Sequence, residues 1–145
     1  MDIKVIRACE TWQRAGAYYV RIQGMAKQHG ITLQREFDAH DTPDTKYILL
    51  TDGDFPVATC RLYPLDGGSA MIGRVVVLPE YRGNGLGSKV VREAEMWLKE
   101  SGYATAVVES RDVAVEFYKK LGYSVTCGRV IHGDTFDCIR MEKTL

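Results

Sequence analysis

The stretch that decides the fold is Met71-Ile72-Gly73-Arg74-Val75-Val76-Val77-Leu78-Pro79-Glu80-Tyr81-Arg82-Gly83-Asn84-Gly85-Leu86-Gly87-Ser88. Its first part is an apolar strand. An amphipathic helix follows from about Leu86 to Ser101, with Leu86, Val90, Ala94, Trp97 and Leu98 on one face. Glycines at the turn between them let backbone N–H groups point outward with no Cβ in the way. Those donors, added to the partial positive charge of a helix N-terminus, make a pocket for phosphate. A phosphorylated cofactor is expected there.

Spacing narrows the choice. No glycine is followed by Lys-Ser or Lys-Thr at the interval a P-loop needs. The dinucleotide fingerprint G-x-G-x-x-G fits at Gly83 and Gly85, but its third glycine falls on Ser88, although an acid, Glu109, stands about 20 residues on. The pattern R-x-x-G-x-G fits at every position, with Arg82, Gly85 and Gly87.

Working outward, residues 56–65 and 70–78 read as antiparallel strands around Asp66-Gly67-Gly68-Ser69, a tight hairpin signal. With Gly67-Gly68 central, Arg61 falls opposite Arg74, and like charges facing across a sheet repel. Something anionic is expected between them. It is either an acid of the 31–41 segment (Glu36, Asp38 or Asp41) or a carboxylate of a substrate that Arg61 and Arg74 bind. Upstream, residues 2–7 alternate as a strand with Ile3 and Val5 on one face. A helix from about Thr11 to Gln28 carries Trp12, Ala15, Tyr19, Ile22 and Ala26 at helical intervals and ends at His29-Gly30. Residues 31–46 form a short helix and a loop, and Lys46–Thr51 a strand. Downstream come a strand at Ala104–Glu109, a helix at Val113–Leu121 stopped by Gly122, and strands at about 123–131 and 135–143. The order indicates one α/β domain over residues 1–145, a mixed, mostly antiparallel sheet with helices on both faces.

Nineteen basic and nineteen acidic side chains cancel, which disfavours a nucleic-acid partner. The N-terminus has no signal-peptide pattern, and no apolar run approaches the ~20 residues needed to span a bilayer. Cys9, Cys60, Cys127 and Cys138 are scattered and lack C-x-x-C spacing; they read as small buried hydrophobes, with no metal, in a reducing cytoplasm.

The segment Val75–Gly87 closely resembles motif A of the GNAT superfamily of N-acetyltransferases. Phe117-Tyr118-Lys119-Lys120-Leu121-Gly122-Tyr123 is similar to the family's second landmark, and one helix and one strand separate the two, in the expected order. The resemblance implies an enzyme that moves the acetyl group of acetyl-CoA to a primary amine by direct attack in a ternary complex. It implies that Arg82, Gly83, Asn84, Gly85, Leu86, Gly87 and Ser88 hold the pyrophosphate of coenzyme A, and that Val75, Val76 and Val77 pair with its pantetheine arm. A backbone N–H near Val76 or Val77 would hold the thioester oxygen as it gains charge. Tyr118 would touch the cofactor sulfur and serve the departing thiolate. A phenol of pKa about 10 facing a thiol of about 8.5 does so chiefly by hydrogen bonding.

The amine side is open. A lysine-like amine is protonated at neutral pH, and freeing it costs roughly 4.6 kcal/mol. Glu109, at a strand end near the expected acetyl position, and Glu36, in the polar segment, are the candidate bases; His40 and His132 are weaker ones. Many GNAT sequences carry Asn three residues before the alanine of the last helix, where this chain has Arg111; its side chain would meet a cofactor phosphate or solvent. Gln34–Asp41 also resembles a segment of a small bacterial branch of the family with no known substrate. The acceptor is a small-molecule or peptide amine, and an edge strand near the C-terminus can support a homodimer. Two alternatives stay open: an acyl-CoA-binding sensor without turnover, and a nucleotide-binding module.

Overall fold

Strand alternation and small residues build a sheet that can be packed from both sides. The computed structural model of the protein describes residues 1–145. Seven strands are β1 (Ile3–Arg7), β2 (Lys46–Asp52), β3 (Phe55–Pro64), β4 (Ser69–Val77), β5 (Thr105–Arg111), β6 (Ser124–His132) and β7 (Asp137–Thr144). They form one sheet in the order β1-β2-β3-β4-β5-β7-β6, in which only β4 and β5 are parallel. The helices are α1 (Thr11–Arg21), α2 (Lys27–His29), α3 (Leu33–Glu36), α4 (Leu86–Glu100) and α5 (Val115–Lys120). A π-turn at Ile22–Ala26 joins α1 to α2, so the long helix read from the sequence carries a bulge. No helix is long and apolar enough to cross a membrane.

In β2, Ile48 and Leu50 face one core and Tyr47 and Leu49 the other, so every residue from Tyr47 to Thr51 is buried. The larger core receives Leu86, Val90, Val91, Ala94 and Leu98 of α4 together with Tyr118 of α5. Each fully buried Val or Leu contributes roughly 1.5–3 kcal/mol. On the opposite face lies α1, and here the expected contact side is corrected. Of the residues expected at the contact, Ala26 is buried, but Trp12 and Tyr19 are 55% and 37% exposed, and Gly16, Ala17, Val20, Arg21 and Gly24 are buried instead. The reason is distance. A Cβ on Gly16 would stand 2.8 Å from Leu49 Cδ2, and one on Gly24 would stand 2.6 Å from Val76 Cγ1. Small residues let the helix backbone lie against the strands, and the large ones flank the contact.

Val5 is 39% exposed on the edge strand β1. One further expectation is corrected. Only Cys60 is buried: Cys9 and Cys127 are exposed and Cys138 is half-buried, since Cys9 precedes α1 and Cys127 lies on the exposed edge strand β6.

Candidate active site

At the glycine turn, Gly83 (φ 81°) and Gly85 (φ 75°) are left-handed, and nothing stands within 4 Å of where a Cβ on either would lie. The first backbone N–H of α4 with a helical partner is that of Lys89, bonded to Gly85 O at 3.2 Å. The N–H groups of Gly83, Asn84, Gly85, Leu86, Gly87 and Ser88 therefore have no acceptor in the protein. Asn84 Nδ2 braces the turn on Tyr81 O, and Arg82 Nε reaches Val77 O at 3.2 Å. Gly87 links the two sequence landmarks in space: its missing Cβ would stand 3.3 Å from Phe117 Cζ. An anion with several acceptor oxygens fits this open cradle.

Beside the cradle, where Arg82 reaches the end of β4, a wedge separates β4 from β5. These strands pair only at Ser69↔Thr105, Ala70↔Ala106 and Met71↔Val107, and β5 then continues along β7 alone. A bulge in β4 drives them apart. Arg61 pairs with Gly73, whereas Thr59 pairs with Val76, so Cys60 opposes two residues, Arg74 and Val75. Arg74 takes φ 49°, unlike any other non-glycine residue of the chain. This corrects the expected register. The hairpin closes from Leu65 N to Ser69 O around a three-residue loop, and Arg61 does not face Arg74.

Beyond the bulge, Val76 pairs with Thr59 and Leu78 donates its N–H to Val57 O. By strand alternation the peptide groups of Val75 and Val77 point into the wedge, and the Arg82 contact to Val77 O comes from that side. The Val76 peptide is turned to β3, and its side chain is buried beneath the π-turn. A cavity of about 500 Å³ fills the wedge, lined among others by Arg74, Val75, Glu109, Arg111 and Tyr118, with Phe136 from the β6–β7 loop.

Tyr118 projects from α5 into this cavity, 8% exposed, edge-on to Phe117 and Tyr123. The Leu121-Gly122-Tyr123 turn fixes it there: Leu121 and Tyr123 both donate N–H to Tyr118 O, and Tyr123 Oη is tied to Glu95 Oε2 at 2.7 Å. Burial, with smaller contributions from Cys60 and Cys138, pushes the Tyr118 phenol above its ordinary range, and the protein offers its hydroxyl no hydrogen bond. It is a neutral donor facing open space.

Three arginines and three acids interlock behind the cavity, and Arg74, Glu36 and Asp38 of this network line it. Arg21, with no exposed surface, gives Nε to Glu36 Oε2 at 2.9 Å and Nη1 to Asp41 Oδ1 at 2.6 Å. Arg61 Nη1 bonds Asp38 Oδ1 at 2.8 Å and Asp41 Oδ2 at 2.9 Å. Arg74 bonds Glu36 Oε2 at 3.0 Å and Asp38 Oδ2 at 3.3 Å. Tyr47 Oη adds a bond to Asp41 Oδ1. The anion expected between Arg61 and Arg74 is thus supplied by the 31–41 segment itself, and Arg61 is 2% exposed beneath it. Sequence reasoning missed Arg21, which shares its helix face with Ala17, Val20 and Gly24; a search for small residues at helical spacing would have found that face.

The remaining candidates fall on different ground. Glu109 is exposed on the cavity wall, without an ion-pair partner within the protein. Glu36 lines the same cavity, but its Oε2 is held by two guanidiniums. Arg111 lies with Cζ 3.8 Å from the Phe136 ring centroid, in a cavity to which no residue of the glycine turn contributes. His40 stacks on Tyr63, and His132 meets Asp137 on the surface; neither lines the cavity.

Residues 7–123 match the model of the acetyltransferase (GNAT) family. An uncharacterised acetyltransferase of Streptococcus pyogenes serotype M3 is 33% identical over 110 residues, 76% of this chain and 77% of the relative. A crystal structure from Lactobacillus plantarum, of a protein assigned to the N-acetyltransferases, superposes with TM-score 0.92 at 32% identity, covering 100% of this chain and 99% of the other. A GNAT family acetyltransferase from Elizabethkingia anophelis, solved with acetyl-CoA bound, shares the fold at TM-score 0.72 and 14% identity, covering 99% of both chains.

Proposed function

The chain belongs to the GNAT acetyltransferase family, and on that premise we propose that it moves the acetyl group of acetyl-CoA to a primary amine by direct attack in a ternary complex. The observation that carries this reading is the run of unsatisfied N–H groups from Gly83 to Ser88, set against Val77 and Phe117 beside the wedge that Tyr118 lines. Bound acetyl-CoA supplies an activated thioester carbonyl and a thiolate leaving group.

The chain's own residues do the rest. The glycine turn grips the pyrophosphate, with Arg82 beside it. Val75 and Val77 present peptide groups to the pantetheine amides, and the Val77 N–H is the donor available to the thioester oxygen as it gains charge. Such a donor is typically worth ~2.7–4 kcal/mol. Glu109, free of ion pairs, takes the proton from the attacking amine directly or through water. As the C–N bond forms and the C–S bond breaks, the Tyr118 hydroxyl donates to the sulfur that receives the electron pair. Glu36, bridged between Arg21 and Arg74, serves as a brace rather than a base.

Calorimetric titration with acetyl-CoA, beside the double variant Gly85→Glu, Gly87→Glu, tests the site. Micromolar binding that disappears in the variant supports it, and an amine panel read by thiol release then tests turnover. Binding without thiol release for any amine would leave an acyl-CoA sensor, and absence of binding would overturn the cofactor assignment.

A further inference from the structure

Almost every charge on the inner wall of the cavity is neutralised by a neighbour. Arg74 is bound by Glu36 and Asp38, and Arg35 stands 3.8 Å from Asp134 at the rim. Two side chains of β5 break this pattern. Neither Glu109 nor Arg111 forms an ion pair or a side-chain hydrogen bond within the protein, yet both line the cavity. They are two residues apart on one strand, so they project from the same face with Cα atoms about 7 Å apart.

That face can be identified. Ala106 and Val108 are packed into the core shared with α4 and α5. Val107, Glu109 and Arg111 therefore point to the other side of the sheet, where the Glu36–Arg74 pair lies. The glycine turn sits at the head of α4, on the opposite face. Arg111 is thus turned away from the phosphate cradle. Its guanidinium carbon sits over the Phe136 ring, 3.8 Å from the centroid, and Phe136 is itself held edge-on by His29. Stacking in this way occupies the face of a guanidinium and leaves its N–H edge free for the two oxygens of a carboxylate. Arg140, paired with Glu109 across β7, shares this side of the sheet, and its buried Nε has no acceptor. The unpaired charges lining this end of the cavity are thus one carboxylate and one guanidinium, with Arg140 behind them on the neighbouring strand.

We propose that the acceptor is a small free amino acid, whose amine is received by Glu109 and whose carboxylate is held by the edge of the Arg111 guanidinium stacked on Phe136. This rests on the transferase reading and adds the acceptor class to it. The substrate carboxylate first expected between Arg61 and Arg74 has no place there, because protein acids occupy both arginines. Arg111 is the cavity arginine left without an acid.

The test is a set of initial rates of thiol release at saturating acetyl-CoA, with L-amino acids against their matched amides. Calorimetric titration of the coenzyme A-loaded protein with the best amino acid accompanies it. An amide keeps the amine and side chain and loses only the carboxylate charge. The acid should be preferred over its amide by at least about tenfold in kcat/KM, as expected for a charge-assisted pair. In Arg111→Met that preference should collapse toward one and the calorimetric affinity for the amino acid should fall by at least about tenfold, while Arg111→Lys keeps part of both. Equal use of acid and amide by the unaltered protein overturns the acceptor class and leaves the transferase reading standing. So does an Arg111→Met variant that weakens acetyl-CoA binding and slows both acceptors alike, which would put Arg111 on the cofactor. Failure of every amine while acetyl-CoA still binds overturns both readings.

Discussion

Arg74 donates its Nε to Glu36 Oε2 at 3.0 Å while its own backbone sits at φ 49°, so one residue both makes the β4 bulge and anchors it to α3. A left-handed backbone costs a residue with a Cβ roughly 1–2 kcal/mol. The ion pairs to Glu36 and Asp38 are placed to hold that conformation.

Two substitutions separate backbone from side chain. Arg74→Gly keeps the left-handed backbone without strain and loses the ion pairs, whereas Arg74→Ala loses the ion pairs and keeps the strain. The alanine variant should unfold in urea with about 1 kcal/mol less stability than the glycine variant. Equal stabilities would show that the bulge is not under strain at this residue.

On the proposed mechanism, in which the hydroxyl acts only as sulfur departs, Tyr118→Phe should lower kcat by about 100-fold and leave acetyl-CoA affinity within about twofold. Burial raises this phenol above its ordinary value of about 10. Its neutral form is therefore favoured by folding: that contribution is complete below about pH 10 and is lost as pH rises through the folded value. The kcat profile should show no alkaline loss from Tyr118 below about pH 10. A loss near pH 8 that vanishes in Tyr118→Phe would contradict this.

The acid side belongs to the arginine–carboxylate network behind the cavity. Burial alone would raise the Asp41 carboxyl, but hydrogen bonds from Arg21, Tyr47 and the Asp38 N–H outweigh it and hold the group well below the usual carboxylate range. Asp38 is also lowered: burial opposes its ionisation, and Arg61 and the His40 N–H overcome that. Carboxyls depressed in the fold contribute stability above their unfolded pKa, near 3.9, and lose it as pH falls through the folded values. Unfolding free energy should therefore decline below about pH 4. Asp41→Asn should flatten that decline and, by leaving Arg21 half-paired in the interior, cost about 3 kcal/mol at pH 7. Denaturant titrations across pH read both effects.

Gly24→Ala places a methyl group 2.6 Å from Val76 Cγ1, where the π-turn meets β4. Overpacking of this kind costs about 1–3 kcal/mol. Because Val76 adjoins the Val77 peptide, the variant should also weaken acetyl-CoA binding, measured by calorimetry. Unchanged affinity would mean that β4 absorbs the shift without moving its wedge-facing groups.

The parts legible in the sequence were those whose cause is local. Positive φ at Gly83 and Gly85 needs glycine, and the apolar spacing of α4 follows from its own core face, so both could be read residue by residue. The β3–β4 register was not. Gly67 and Gly68 both take positive φ, as a two-residue turn would require, yet the loop holds three residues and a bulge restores the offset further along. Nothing in an arginine announces a left-handed backbone; what holds Arg74 there comes from Glu36, distant in the chain. The buried side of α1 was misread for a related reason, since Gly16 and Gly24 mark a contact by what they lack. Arg111 was read against the family pattern, but which face of β5 it uses depends on the strand's pairing with β7.

Only three residue pairs tie β4 to β5. The backbone ladder is thus nearly severed midway along the sheet, into a plate of four strands and a plate of three, and resistance to shear between them falls to the helices and to whatever fills the gap. A ligand lying in the wedge with its amides against Val75 and Val77 would act as a splint as well as a reactant. Amide hydrogen exchange in β5 and β7 would slow when it binds, at positions that never touch it.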